Sequence, residues 1–165
     1  MGKIKNNINF MVGSALIASV YAVLCIMLGN LSYLGIQIRL ATLIEPIPFY
    51  LCKTKEQRNM SKMGIYLGVV IANLFSPLGI LDVVFGIVEE YLLLGLLYNV
   101  CYGSRIKQTM GYTVINAVLV SLELYLVYSI PFLYSVVSVG IPAFVLYYLG
   151  TKNMEIVSNQ LNKVI

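Results

Sequence analysis

The chain has 165 residues, of which 59% are hydrophobic and 11% are charged, and its mean hydropathy is +0.86. Because ordinary soluble domains contain about 25% charged residues, this composition excludes a soluble globular protein and predicts an integral membrane protein. The formal net charge of +4 does not indicate nucleic-acid binding, since the basic residues flank apolar runs. At about 20 residues per helical span, the length predicts one transmembrane domain, residues 1–165, with five or six spans.

Six apolar segments follow one another along the chain, and we expect each to form a transmembrane helix. They cover residues 10–28, 40–52, 63–75, 82–100, 109–128 and 131–149. The second and third segments are short for a straight span, and Pro46 and Pro48 interrupt the second. Transporters place binding sites beside broken helices of this kind, so the second segment and the SPLG turn at 76–79 are predicted to border a ligand cavity.

The distribution of lysine and arginine predicts the orientation of these helices. Basic residues precede the first segment, fill the second-to-third and fourth-to-fifth connections, and follow the last segment. With six spans all of these positions fall on one side, which the positive-inside rule assigns to the cytoplasm. Both termini are therefore predicted to be cytoplasmic, whereas five spans would scatter the charges. Arg39 is the single one of eleven basic residues on the outer side, either as a site residue or as a side chain that snorkels from a helix end.

Acidic residues within the apolar segments are the main functional signal. A charged side chain at the bilayer centre costs about 2.5 to 3.5 kcal/mol, so such acids are expected to have a partner or a ligand. In the six-helix arrangement four of them share the outer half of the membrane with Arg39, namely Glu45, Asp82, Glu89 and Glu123. A cavity with these groups attracts a ligand that is cationic or rich in hydrogen-bond donors. The alternative is that the acids only satisfy hydrogen bonds between helices.

Helical geometry separates the three acids of the fourth segment. At about 100° per residue, Asp82 and Glu89 differ in direction by about 20° and so line one face of the helix. Glu90 points about 100° away from Glu89. We therefore expect Glu89 to share the cavity with Asp82, and Glu90 to pair with a polar group on a neighbouring helix.

The residue types that the chain lacks restrict its chemistry. It has no histidine, and its three cysteines form no CxxC pair, so the sequence predicts neither a metal site nor a cofactor. No carboxylate motif has the spacing of an intramembrane protease, so no catalytic residue and no enzymatic activity is predicted. There is also no GxxxxGK[ST] loop to hold ATP, so energised transport would require other subunits.

Two pairs of small residues are spaced for close contact between helices. Ala18 and Ala22 lie four residues apart in the first segment, and Gly64 and Gly68 have the same spacing in the third. Such pairs let helix backbones approach within the membrane. Each pair therefore predicts either packing within the bundle or contact with a partner.

Two stretches of the sequence, GIQIRL and GVVIANLFSPLGILDVVFGIVEEYLLLG, resemble the QueT family. Members of this family are proposed queuosine-precursor transporters, the substrate-binding S components of energy-coupling factor (ECF) transporters. The matching positions are Gln37, Arg39 and the runs at 73–76 and 81–86. The family usually has Ser-Glu after its Arg-Leu or Arg-Ile, whereas Ala41 and Thr42 follow here and an acid returns only at Glu45. The pocket is therefore expected to be rebuilt for a different precursor or for queuine itself.

The resemblance implies an all-α bundle of six transmembrane helices in a bacterial cell membrane, with an outward-facing pocket capped by the loop between the first two helices. The implied substrate is a 7-deazaguanine base, whose guanine-like edge presents N–H donors that a carboxylate accepts. The residues predicted to bind it are Glu89, Asp82, Glu45, Arg39, Gln37, Asn73 and Glu123. Ala18 and Ala22 match the face that docks onto the transmembrane coupling subunit, which works with two ATPase subunits. Two alternatives stay open, an S component for another vitamin or purine-like nutrient, and a structural membrane protein.

Overall fold

The computed structural model of the protein describes residues 2–28, 39–76, 79–100 and 104–164. Within these ranges the chain forms helices and no strand, so the predicted all-helical class is confirmed. The elements are α1 (Gly2–Leu28), a 3-10 turn (Leu40–Leu43), α2 (Ile47–Tyr50), α3 (Lys55–Leu74), α4 (Ile80–Val100), α5 (Arg105–Tyr128) and α6 (Phe132–Val164). Among the described residues, three stretches are long and apolar enough to cross a membrane: Ile8–Met27, Arg105–Tyr128 and Phe132–Asn162.

The second apolar segment does not form one helix. A four-residue 3-10 turn leads through a bend to the four-residue helix α2, and irregular backbone follows as far as Thr54. Pro46 and Pro48 account for the break, because neither has an N–H to donate to a helical hydrogen bond. Pro46 caps α2, and Pro48 lies in its first turn, where a missing N–H costs little. The predicted interruption is therefore present, and this segment has no regular helix long enough to span a bilayer.

Helix α3 begins eight residues before the predicted apolar segment. Its start is fixed by a capping box, in which the hydroxyl of Thr54 accepts from the backbone N–H of Gln57 at 3.2 Å. The side-chain oxygen of Gln57 accepts in turn from the backbone N–H of Thr54 at 3.2 Å. These bonds satisfy helix donors that would otherwise lack partners. With its polar first turns included, α3 has 20 residues and a length of about 30 Å.

Helices α1 and α3 run parallel and pack closely. A Cβ atom added at Gly64 would lie 2.7 Å from the Cβ of Ile17, and one added at Gly68 would lie 2.7 Å from the Cβ of Tyr21. The contact therefore advances along both helices in the same direction. The glycine pair of the third segment is thus a packing contact within the bundle, and it brings α3 against the helix that carries Tyr21.

The basic connections gather at one end of the bundle. Ser14 in the middle of α1 donates to the carbonyl of Met60 in the second turn of α3 at 3.0 Å. Tyr50, just before α3, donates to the side chain of Gln108 near the start of α5 at 3.1 Å. Arg105 forms an ion pair with Glu155 in the last third of α6. This arrangement agrees with the charge pattern, and the assignment of that end to the cytoplasm stays a prediction.

The interior of the bundle contains aromatic residues as well as aliphatic ones. Tyr21, Tyr112 and Tyr147 are each 1% exposed, and the rings of Tyr112 and Tyr147 stack with their centroids 4.1 Å apart. The outer faces of the long helices carry large apolar side chains, among them Leu16, Val84, Val114, Leu133 and Ile141. An apolar exterior around a partly polar interior is the arrangement expected of a bundle surrounded by lipid.

Candidate functional site

The carboxylate of Glu89 lies at the centre of a buried polar site. One of its oxygens is 3.3 Å from Nη1 of Arg39, which directly precedes the 3-10 turn. The other accepts a hydrogen bond from the side-chain amide of Asn116 on α5. Glu89 is 3% exposed, so this carboxylate is removed from solvent and compensated by a cation and a donor. The structure thus brings together Arg39 and Glu89, both predicted as site residues, and adds Asn116, which is not among the predicted site residues.

A second group of carboxyls surrounds Tyr21. The hydroxyl of Tyr21 lies 3.3 Å from Oε1 of Glu45 and 3.3 Å from Oε1 of Glu90. Since a tyrosine has one O–H, it can donate to only one of these oxygens at a time. Glu45 and Glu90 are 2% and 1% exposed, and the Oε2 atom of each has no hydrogen-bond partner within the described ranges. The expected pairing of Glu90 with a polar group on a neighbouring helix is confirmed, and that group also contacts Glu45.

Two further hydroxyls connect the site to the aromatic core. Thr42 in the 3-10 turn and Tyr112 on α5 have their oxygens 3.2 Å apart. Tyr112 also lies close enough to Glu45 and Glu89 to interact with them electrostatically. Because its ring stacks on Tyr147, packing fixes the position of its hydroxyl. The 3-10 turn is therefore attached to the site at both ends, by Arg39 and Glu45, and in its middle by Thr42.

The site contains more acidic than basic groups. Three carboxyl groups, from Glu45, Glu89 and Glu90, are almost completely buried within reach of one another. Arg39 is the cation that the described residues place beside them, and its contact is with Glu89. An uncompensated charge in such an interior costs several kcal/mol, on the order of 3 to 5 when one partner of a buried pair is lost. The arrangement therefore suits a ligand that supplies hydrogen-bond donors, positive charge or both.

The cavity beside this site is closed in the present conformation. Its volume among the described residues is about 10 Å³, and it is lined by Arg39, Thr42, Asn116, Val139, Ala143 and Leu146. That space holds about one water molecule. A ligand the size of a purine therefore does not fit into this space unless the residues that line it move apart.

Asp82 and Glu123 form a second polar layer between α4 and α5. Glu123 lies beside Asp82 and interacts with it, just as Asn116 lies beside Glu89. Asp82 and Glu89 are seven residues apart on α4, and Asn116 and Glu123 are seven residues apart on α5. Antiparallel packing of the two helices therefore places both pairs side by side. Seven residues correspond to about 10 Å along a helix. Asp82 and Glu89 thus share a face, as predicted, but Asp82 lies one layer away from the Arg39 contact.

Asn73 and Ser76 hold the start of α4 in place. The side-chain amide of Asn73 donates to the backbone carbonyl of Asp82 at 2.7 Å, and the hydroxyl of Ser76 donates to the Asp82 carboxylate. Gly86 provides the space for the Asn73 side chain, which a Cβ at that position would contact. Asn73 was predicted to bind substrate, whereas its contacts are those of a residue that ties the end of α3 to the start of α4.

The remaining predicted residues are Gln37, Ala18 and Ala22. Gln37 lies outside the described residues. Ala18 and Ala22 are 3% and 5% exposed, so the chain itself covers them. An exposed docking face at these alanines is therefore not present in this conformation. The reason is that Ala18 and Ala22 lie on the face of α1 that packs inside the bundle, whereas Leu16 and Val20 lie on its outer face.

Residues 11–159 match the family model described as the QueT transporter. This chain belongs to the QueT transporter family. Because the match covers most of the chain and the family consists of transporters, the protein has a transport role, a small-molecule substrate and a membrane location, and it is not an enzyme. No curated protein and no solved structure matches the chain significantly.

Proposed function

We propose that this chain is the substrate-capture subunit, or S component, of an ECF transporter that imports a queuosine precursor across a bacterial cell membrane. The substrate is a 7-deazaguanine base or queuine. The observation that carries the proposal is the buried carboxylate of Glu89, held between Arg39 and Asn116. Arg39 and Asn116 compensate this carboxylate here, and a ligand that replaces them must offer donors or positive charge in their place.

The chemistry of the base complements these three side chains. A guanine-like edge carries a ring N–H and an exocyclic amino group next to each other, and beside them a carbonyl oxygen. The two oxygens of Glu89 accept from the two N–H groups, while Arg39 or Asn116 donates to the carbonyl. Since Arg39 and Asn116 contact the Glu89 oxygens in this structure, ligand binding exchanges one set of hydrogen bonds for another. This exchange accompanies the opening of the 10 Å³ cavity.

The rest of the proposed assembly is what the resemblance to ECF S components implies. The sequence has no ATP-binding loop, and in this proposal a transmembrane coupling subunit and two ATPase subunits drive uptake. The helices and the segment 39–54 cross the membrane six times in this proposal, with both termini cytoplasmic. The buried site then lies toward the outer side, on which the substrate arrives.

Calorimetric titration of the purified chain tests the proposal. We expect guanine, queuine and the cyano- and aminomethyl-deazaguanines to include a ligand that binds more tightly than any member of a vitamin panel. Glu89→Gln keeps the shape but replaces an acceptor oxygen by an amide donor, so affinity should fall by about 1.5 to 3 kcal/mol, roughly tenfold to a hundredfold. The matched control is Glu56→Gln, which alters an exposed carboxylate in the first turn of α3.

Two results would contradict the proposal in different ways. Tight binding of a vitamin and of no deazaguanine would support the alternative S component. Equal affinity in the wild type and in well-folded Glu89→Gln would show that this carboxylate has a structural role and that the base binds elsewhere.

A further inference from the structure

We infer that Glu45, Glu90 and Tyr21 form a second subsite, which binds a protonated amine carried by the ligand. This inference rests on the proposed function, because it assigns a separate part of the same ligand to a separate group of residues. The base occupies Glu89 and its neighbours, and the amine lies between the 3-10 turn, α1 and α4. The two subsites are adjacent, since Glu89 and Glu90 are consecutive residues whose side chains point to different neighbours.

Unsatisfied acceptors are the first argument. Glu45 and Glu90 are both more than nine-tenths buried, and the Oε2 atom of each has no hydrogen-bond partner in the described part of the chain. Their Oε1 atoms share the one proton of Tyr21. Buried polar atoms in native proteins are rarely left without partners. Among the described residues, the Oε2 atoms of these two carboxyl groups therefore remain acceptors for donors that a ligand brings, with the Tyr112 hydroxyl also close to Glu45.

The balance of charge is the second argument. The titratable groups that face Glu45 and Glu90 come from every neighbouring element: Tyr21 and Cys25 on α1, Arg39 before the 3-10 turn, Tyr66 on α3, Glu89 on α4 and Tyr112 on α5. Arg39 is the one cation among them, and its ion pair is with Glu89. A second positive charge placed between Glu45 and Glu90 would compensate groups that Arg39 does not reach directly.

The shape of the acceptor set indicates an amine. An ammonium group carries donors only, and three of them in the case of a primary amine. Oε2 of Glu45, Oε2 of Glu90 and the hydroxyl oxygen of Tyr21 supply three acceptors. No group of three or more His, Cys, Asp and Glu suitable for a metal ion occurs among the described residues. The set therefore fits an organic ammonium.

This chemistry separates candidate ligands of the proposed class. Aminomethyl-deazaguanine and queuine both carry an amine on the substituent of the five-membered ring, which is protonated at neutral pH. Guanine and cyano-deazaguanine have the same base edge and no such amine. The second subsite thus predicts selection within the class, on the substituent and not on the base.

The experiment compares the aminomethyl and cyano compounds by calorimetric titration of the purified chain. We expect wild type to bind the aminomethyl compound at least about tenfold more tightly, as a charge-assisted contact of at least about 1.4 kcal/mol implies. In Glu45→Gln and in Glu90→Gln the ratio of the two affinities should fall to within about twofold, because each removes one charge from the pair. The matched control is Glu89→Gln, which should weaken both compounds and leave the ratio intact.

The possible outcomes are distinguishable. Failure of wild type to bind either of these compounds, queuine or guanine would refute the proposed function, and the subsite with it. Equal binding of the two compounds by wild type would refute the subsite alone and leave the proposed function standing. This comparison requires no variant, so it decides the inference even if one carboxyl variant does not fold. An unchanged ratio in both folded variants would place the amine elsewhere.

Discussion

The close contact of α1 with α3 allows a stability prediction at Gly68. An alanine there would bring its Cβ to 2.7 Å from the Cβ of Tyr21 and 3.0 Å from the Cγ and Cδ1 of its ring. Since carbon atoms pack at about 3.5 to 4.0 Å, the two helices have to separate by roughly 1 Å. Overpacking of this kind costs about 1 to 3 kcal/mol, while the better helix propensity of alanine returns at most about 1 kcal/mol.

We therefore expect Gly68→Ala to be destabilised by up to about 2 kcal/mol and to unfold at a lower temperature than wild type in detergent. Because Tyr21 must move, the variant should also bind the best ligand more weakly. Gly95→Ala is the matched control, since a Cβ at Gly95 on α4 meets no atom within 4 Å and leaves only the propensity gain. Equal thermal stability of the two variants would refute the packing argument.

Two further predictions concern topology and docking. In a background without native cysteines, a cysteine at Gln57 should react with a membrane-impermeant reagent only after permeabilisation, and one at Ser32, outside the described residues, should react in intact cells. Labelling at Gln57 in intact cells would overturn the proposed orientation. Ala18→Leu should lower the free energy of unfolding of the isolated chain by about 1 to 3 kcal/mol, because Ala18 is 3% exposed and the larger side chain does not fit. Ala15→Leu, on the exposed face of the same helix, should leave the free energy of unfolding unchanged. Normal stability of Ala18→Leu with lost binding of the coupling subunit would restore these alanines as a docking face.

Much of the fold was predictable because the apolar segments are long. The predicted segments 82–100 and 109–128 begin within four residues of α4 and α5 and end with them. The start of α3 was missed because residues 55–62 are polar, and only the Thr54 and Gln57 capping box indicates a helix there. The path of residues 40–52 depends on Pro46, on Pro48 and on packing against other elements. The spacing of apolar residues in the sequence does not predict such packing.

The candidate site was predictable at the residues whose charged side chains cost free energy inside a membrane. Glu45 and Glu89 could be identified for that reason, and so could Arg39. Tyr21 and Tyr112 could not, because thirteen tyrosines are also expected at the membrane interface. The sequence does contain a signal for Asn116. It precedes Glu123 by seven residues, the same interval that separates Asp82 from Glu89, and antiparallel helices place such pairs opposite each other.

The parallel arrangement of α1 and α3 has a consequence for biogenesis. Since both helices run the same way, residues 39–54 must return from the far end of α1 to the near end of α3. This return segment contains eight helical or 3-10 residues in two separate pieces, and most of its backbone needs partners from elsewhere. In the proposed six-span topology this backbone is not stable in lipid alone, so its burial follows the insertion of α3 and the later helices. The segment that carries Arg39 and Glu45 would then be the last part of the bundle to fold during synthesis, after the helices that enclose it have been inserted into the membrane.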